Sequence, residues 1–371
     1  MAASSPSWIA VELLVGIATV IHGFQYVREG VEWYKRRRLK PRHKRKHKPA
    51  KPHETPKQRD YLFGIFYALL CGILWSVSYV SLSYVTARAD PVEINVVLLG
   101  SATFFLFLGF VFLRAIRREQ TVMPISWRTW NPWLIAIANL LSFIFFIYAL
   151  RFVSASQTIT LSKINPLFIA LFSWIILRQR PPPSTVSAAF LVVLGTVLIT
   201  ANEKFTFEAT SEVVGSLLAI LAGLGFALFS IGLERVEREH TGLSERLLFL
   251  AVVFFLSYVG IVTVAHFEGL KSSIDAESMV ILLLNGLRAA VVYALYQAAV
   301  RRIGALRVSV LVALEVPFTM FWDTAWLGRV PAARLIWGSL TILFAALTLG
   351  WDMLRAKERR GNATQTSAAA H

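Results

Sequence analysis

The chain has 371 residues, of which 56% are hydrophobic and only 16% charged, with a formal net charge of +16. A soluble domain carries about 45–50% apolar and about 25% charged residues, so this composition excludes an ordinary water-soluble globule and belongs in lipid. The charge is local: fourteen Lys or Arg and four acids lie between Arg28 and Asp60, and ten of the sixteen net charges fall there.

Eleven apolar runs can cross about 30 Å of hydrocarbon as helices. In chain order they lie at about 7–27, 61–86, 91–113, 130–150, 154–177, 184–201, 212–233, 243–265, 278–299, 304–327 and 331–354. The first contains Glu12 and His22 and lacks the basic start and small-residue cleavage site of a signal peptide, so residues 1–27 are expected to be a retained extra hydrophobic helix. Glu12 would face the core helices or a second copy of the chain, which makes a homodimer a candidate assembly.

Residues 28–60 follow as a basic linker containing KRRRLKPRHKRKHKPAK. Juxtamembrane Lys and Arg are drawn to anionic lipid head groups, which are its expected partner. The run has no interleaved aromatics and no recognisable binding fold, so no nucleic-acid partner is expected. His43 and His47 sit among cations and prolines that oppose a metal site, and the single cysteine, Cys71, rules out an intrachain disulfide. Neither a metal nor a cofactor is expected.

Lys and Arg in cytoplasmic loops orient the spans. Near the span ends they number 30 on one side and six on the other, or 16 and six without the linker. The linker and the tail at 355–371 are therefore expected on the cytoplasmic side.

An internal repeat runs through the core. The stretch from Gly64 to Gly72 aligns with that from Gly215 to Gly223 at an offset of 151, and the same offset relates Arg151 to Arg302, Pro166 to Pro317 and Arg178 to Arg329. Each copy holds five spans, an odd number, so the second must enter the membrane from the opposite side. The expected fold class is all-α: a polytopic membrane protein of two inverted five-helix repeats, residues 61–203 and 204–354, forming a ten-span core behind the extra helix. Inverted repeats of this kind enclose mid-membrane solute sites in secondary transporters.

The residues that carry a family likeness are Gly72-Ile-Leu-Trp-Ser, Asp90-Pro91, the Ala149 to Ser156 segment, Pro166, and the second-half segment ending in Leu314-Glu315-Val316-Pro317. As an ordered set over residues 61–354 they resemble the ten-helix drug/metabolite transporter superfamily, within it the EamA-type carriers of bacterial cytoplasmic (inner) membranes. The chain departs from that pattern at Leu177-Arg178-Gln179 and Leu327-Gly328-Arg329, where the family often has Leu-Gly-Glu, and at Leu99-Gly100-Ser101, where it often has an Arg. The resemblance implies a secondary transporter, expected to export a small-molecule solute by alternating access. It also implies a central cavity among core helices one, three, four, six, eight and nine.

An ionisable side chain at membrane depth costs about 2.5–3.5 kcal/mol on insertion scales and needs a partner or a purpose. Lys163, Arg288 and Glu315 meet this description, with Asn139, Asn165 and Asn285 in the same apolar setting. In one reading Lys163 and Arg288 attract an anionic group of the solute while Glu315 gains and loses a proton; in the other Lys163 and Glu315 form a permanent ion pair locking the halves. Trp75, and after it Tyr79, Phe226 and Phe229, are candidates for the solute path or for packing. Pro166 and Pro317 each remove a backbone hydrogen bond and are candidate kinks. Asp323 is expected to be wet or paired with Arg329.

No paired-aspartate, H-E-x-x-H or G-x-S-x-G motif is present, the loops are short, and no enzymatic activity is expected. A channel lacks support from any filter-like sequence or charged ring. A scaffold or sensor that keeps the carrier fold is the alternative, with the extra helix and basic linker as its working parts.

Overall fold

The computed structural model describes residues 58–117, 132–178, 181–200, 210–239, 243–269, 274–328, 333, 336–349 and 351–352. The extra helix expected at 1–27, the basic linker through residue 57 and the tail at 355–371 lie outside the described residues. Within them the helices are α1 (Gln58–Thr86), α2 (Pro91–Arg117), α3 (Pro132–Phe152), α4 (Ala155–Ser162), α5 (Asn165–Ile175), α6 (Pro183–Thr200), α7 (Thr210–Glu239), α8 (Leu243–Glu268), α9 (Ala276–Ile303), α10 (Ala305–Val312), α11 (Glu315–Leu327) and α12 (Ile336–Leu349). Counting α4–α5 and α10–α11 as one span each, eight are long and apolar enough to cross a membrane; α6 and α12 add shorter apolar stretches. The protein is an all-α, multi-pass membrane protein.

Helices are what these sequences must form, because lipid offers no partner for a free backbone N–H or C=O. Hydroxyl residues inside the spans follow the same rule and return their protons to their own helix: Ser142 Oγ to Ala138 O at 2.5 Å, Thr196 Oγ1 to Val192 O at 2.9 Å, and Thr319 Oγ1 to Glu315 O at 2.7 Å. Large apolar side chains such as Phe104, Phe107, Phe190, Phe255 and Phe344 are exposed on the helix surfaces, as a lipid-facing exterior requires.

Glycines set the helix contacts, since in lipid close packing drives association. Gly64 of α1 lies against Ile303 of α9, while Gly215 of α7 lies against Phe152 of α3. At the other end of α1, the Tyr84 hydroxyl meets Glu277 of α9, so α1 and α9 run antiparallel; Gly232 of α7 meets Ile135 of α3, so α7 and α3 do likewise. Helix α2 packs on α8 at Gly100 against Tyr258 and on α9 at Ser101 against Gly286, and α6 meets α12 at Gly195 against Gly338.

Two spans expected to be continuous, 154–177 and 304–327, are each broken into two helices. Helix α4 stops at Ser162 and α5 restarts at Asn165; α10 stops at Val312 and α11 restarts at Glu315. Pro166 is the second residue of α5 and Pro317 the third of α11. Each lacks the N–H that would bond four residues back, to Ser162 O and Ala313 O, and its ring crowds that carbonyl. At the second break Val316 N–H takes up Ala313 O at 3.1 Å. A glycine covers each break: Gly223 of α7 faces the Ser162 carbonyl, and Gly72 of α1 the Val312 carbonyl.

A side chain at Gly223 has nowhere to go, because the obstacle is backbone. Gly223→Val is expected to lower stability by about 1–3 kcal/mol through overpacking, whereas Gly109→Val, whose nearest neighbour is a Leu247 methyl 4.0 Å away, is expected to be tolerated. Unfolding of the purified protein in detergent checks both.

Candidate functional site

The two helix breaks meet beside a cavity of about 60 Å³ at the middle of the bundle. On the same measure one water needs about 10–15 Å³, so the space admits a few waters. Its walls come from α1 (Trp75, Ser78, Tyr79), α7 (Phe226, Phe229, Ser230), α3 (Phe143, Phe146, Ile147), α9 (Asn285, Ala289, Tyr293, Tyr296), the α4–α5 junction (Lys163, Asn165) and α10 (Ser309, Val312). Three α1 residues match the three α7 residues at the 151-residue offset, 75 with 226, 78 with 229 and 79 with 230, while Leu82 of α1 has no counterpart in the wall.

Eight of the wall residues are aromatic and form a cage. Tyr293 sits edge-on to Trp75 at 5.4 Å, Phe229 at 5.4 Å and Phe254 at 4.8 Å, and Tyr79 leans on Phe146 at 5.0 Å. Tilted and edge-to-face rings place the positive rim of one against the negative face of the next. Tyr296 reaches past them to share a 2.8 Å hydrogen bond with Ser230.

Lys163 and Glu315 form a buried ion pair, Nζ to Oε1, across the two breaks. Lys163 caps the C-terminus of α4 and Glu315 is the first residue of α11. Each charge thus lies at the helix end whose dipole favours it, an effect worth up to about 2 kcal/mol in partly buried settings.

Arg288 is placed differently from Lys163. It is fully buried between α1 and α9, and its Nη1 donates to Ser78 Oγ and Asn285 Oδ1, each at 3.0 Å. Asn285 Nδ2 in turn donates to Ser81 Oγ at 3.0 Å and Ile281 O at 2.9 Å. Ser78 and Asn285 face the cavity, so the guanidinium reaches it through them. Asn165 lines the cavity with a buried Oδ1 that has no hydrogen-bond partner among the described residues. Asn139 is elsewhere, donating to Ser257 Oγ at 3.1 Å where α3 meets α8. Trp75, Tyr79, Phe226 and Phe229 all face the cavity.

Sequence reasoning passed over Tyr293 and Tyr296, although Asn285, Ala289, Tyr293 and Tyr296 recur at the spacing of one helical face. Arg246, near the end of a span in the sequence, is 4% exposed with Nε 3.0 Å from Glu237 Oε2. Asp323 is buried and not wet; Arg329, its other expected partner, lies outside the described residues.

A helical membrane bundle with broken helices meeting at a polar, aromatic-lined cavity defines a class of multi-pass membrane protein built around an internal site. Residues 62–201, which are α1 through α6, match the EamA-like transporter family. An "uncharacterized transporter" from Archaeoglobus fulgidus is 26% identical over 136 residues, 37% of this chain and 46% of that protein, so the match spans less than half of the relative's length. A solved structure described only as "Crystal structure of protein" superposes with a TM-score of 0.58 at 17% identity, covering 79% of this chain and 96% of its own, which shows a shared fold. Residues 62–201 are thus similar to the EamA-like transporter family, within a chain that is a multi-pass helical membrane protein.

Removing one partner of a buried ion pair strands the other, at a cost of about 3–5 kcal/mol. Lys163→Met alone is expected to destabilise the protein by that much, and Lys163→Met with Glu315→Gln to recover most of the loss. Denaturation midpoints of the purified single and double variants in detergent are the measurement.

Proposed function

We propose that this protein is a secondary transporter that carries a small metabolite across a bacterial cytoplasmic membrane by alternating access, with its C-terminus on the cytoplasmic side. One observation carries the reading: a mid-bundle cavity whose α1 and α7 walls share three positions at the 151-residue offset, closed at two helix breaks by the Lys163–Glu315 pair. Residues 61–203 and 204–354 are then two inverted five-helix units. The exchange of packing partners, Gly64 on Ile303 and Gly215 on Phe152, supports this, because positions 64 and 215 differ by 151 and so do 152 and 303. The excess of Lys and Arg on one side supports the orientation.

A solute larger than a few waters fits only if the halves part, which ties binding to movement. The aromatic cage offers ring faces to its apolar body, and Asn165, Asn285, Ser78 and Ser230 offer hydrogen bonds. Lys163 attracts an anionic group, with Arg288 adding its field from behind Ser78 and Asn285. An anion that engages Lys163 competes with Glu315, whose carboxylate then takes a proton or keeps its charge according to occupancy. In this way solute occupancy and the protonation of Glu315 are linked, which couples transport to a proton gradient.

The test begins with a metabolite comparison of cells lacking and overproducing the protein, followed by flux of the leading candidate in proteoliposomes with and without a pH gradient. Flux that responds to the gradient and loses that response in Glu315→Gln supports coupled transport through this site. Unaltered flux in Glu315→Gln with only a reduced protein yield makes the pair a structural lock, and no flux of any candidate overturns the carrier reading.

A further inference from the structure

Directly beyond the cavity, at the end of the bundle where α1 meets α2 and α3 meets α4, lies an open polar pocket of about 860 Å³. Ser83, Thr86, Arg151 and Ser154 are in its wall. It continues the faces that line the cavity, since Leu82 and Thr86 on α1, and Ile147 and Arg151 on α3, are four residues apart. Its Arg88 and Arg151 are wet, paired at the rim with Glu277 at 3.1 Å and Asp90 at 3.8 Å.

Adding 151 to those positions gives their counterparts at the opposite end: Ser83 becomes Glu234, Thr86 becomes Glu237, Arg151 becomes Arg302 and Ser154 becomes Ala305. There the same positions are filled. Glu234 Oε2 accepts the Ala305 N–H at 3.0 Å, pinning α7 to the start of α10. Glu237, 6% exposed, pairs with the buried Arg246 of α8 and faces Gln297, Arg301 and Arg302 of α9. The Arg302 guanidinium folds inward over the Tyr67 ring at 5.0 Å. Phe226, Ser230, Glu234 and Glu237 follow one another on a single face of α7, so the cavity wall runs straight into this cluster.

We infer that Glu234 and Glu237, with Arg246 and the end of α9, are the closed gate of a second mouth of the solute path. This inference rests on the carrier reading above. The two mouths are equivalent places in the two halves, and the difference between them is written in side chains: two small hydroxyl residues at the open mouth, two carboxylates at the sealed one. Opening the second mouth requires Glu234 to release the Ala305 amide and Glu237 to part from the α8 and α9 groups around it, which separates α7 from α9 and α10.

The full chain, reconstituted in sealed vesicles with Cys71→Ala removing the native thiol, carries Ser309→Cys in the cavity as the reporter. A small membrane-impermeant methanethiosulfonate is applied from each face, and separate Ser154→Cys and Arg301→Cys proteins mark the faces of the two mouths. With the native gate the reporter is expected to react from the Ser154 face and to be protected from the Arg301 face. Two gate variants are compared: Glu234→Ala, which removes only the contact to Ala305, and Glu237→Gln with Arg246→Gln, which leaves no lone buried charge. A rise of roughly tenfold in the reaction rate from the Arg301 face in either variant, the size of a modest population shift, supports the gate. An unchanged rate in both, with the reporter still reacting from the Ser154 face, overturns the gate and leaves the carrier reading standing. Reaction of Ser154→Cys and Arg301→Cys from the same face overturns the carrier reading, and the gate with it.

Discussion

The structure depends on one constraint: inside lipid, every charge and every broken backbone hydrogen bond must be answered from within the protein. The pair formed by Lys163 and Glu315 answers both demands at one place. Two prolines end helices in the middle of the bundle, which exposes peptide dipoles, and a cation and a carboxylate sit on the ends of matching sign. Neither charge would be tolerable alone and neither break would be as stable without a charge. Gly72 and Gly223 follow as consequences, because a helix that seals a break at carbonyl distance has no room for a side chain.

The other buried polar groups obey the same rule and sort themselves by distance from the cavity. Arg288, Asn285, Ser78 and Ser81 form a network in which the guanidinium is held by two side chains that face the cavity. Asn139 Nδ2 donates to Ser257 Oγ at a helix contact away from the cavity. Asn165 differs in lining the cavity itself, where its buried carbonyl oxygen has no hydrogen-bond partner among the described residues. That position is what supports Asn165 in the proposed solute contact.

The two ends of the bundle are chemically unlike although their positions correspond. At one end ion pairs lie at a wet rim, where solvent screening leaves each worth about 0–1 kcal/mol. At the other a carboxylate and a guanidinium are both buried, so parting them has a real energetic consequence. Symmetric scaffolds with asymmetric side chains let one end stay open while the other is shut, and the proposed carrier uses that difference between Ser83 and Glu234 and between Thr86 and Glu237.

The sequence alone determined that this is a helical membrane protein, because lipid leaves helix as the backbone's solution, and its spacing led to the expectation that residues 151 apart correspond. It also singled out Lys163, Arg288 and Glu315, because a charge in an apolar run is conspicuous. What it could not decide is which charge faces which. Lys163 and Glu315 are 152 residues apart and meet only where two helices break, while Arg288, with the same apolar surroundings in sequence, turns to Ser78 and away from that pair. Arg246, near a span end in the sequence, is buried against Glu237, since exposure there depends on how neighbouring helices close over it. Those outcomes are set by packing between distant segments, and a single chain of letters carries no record of which faces come to touch.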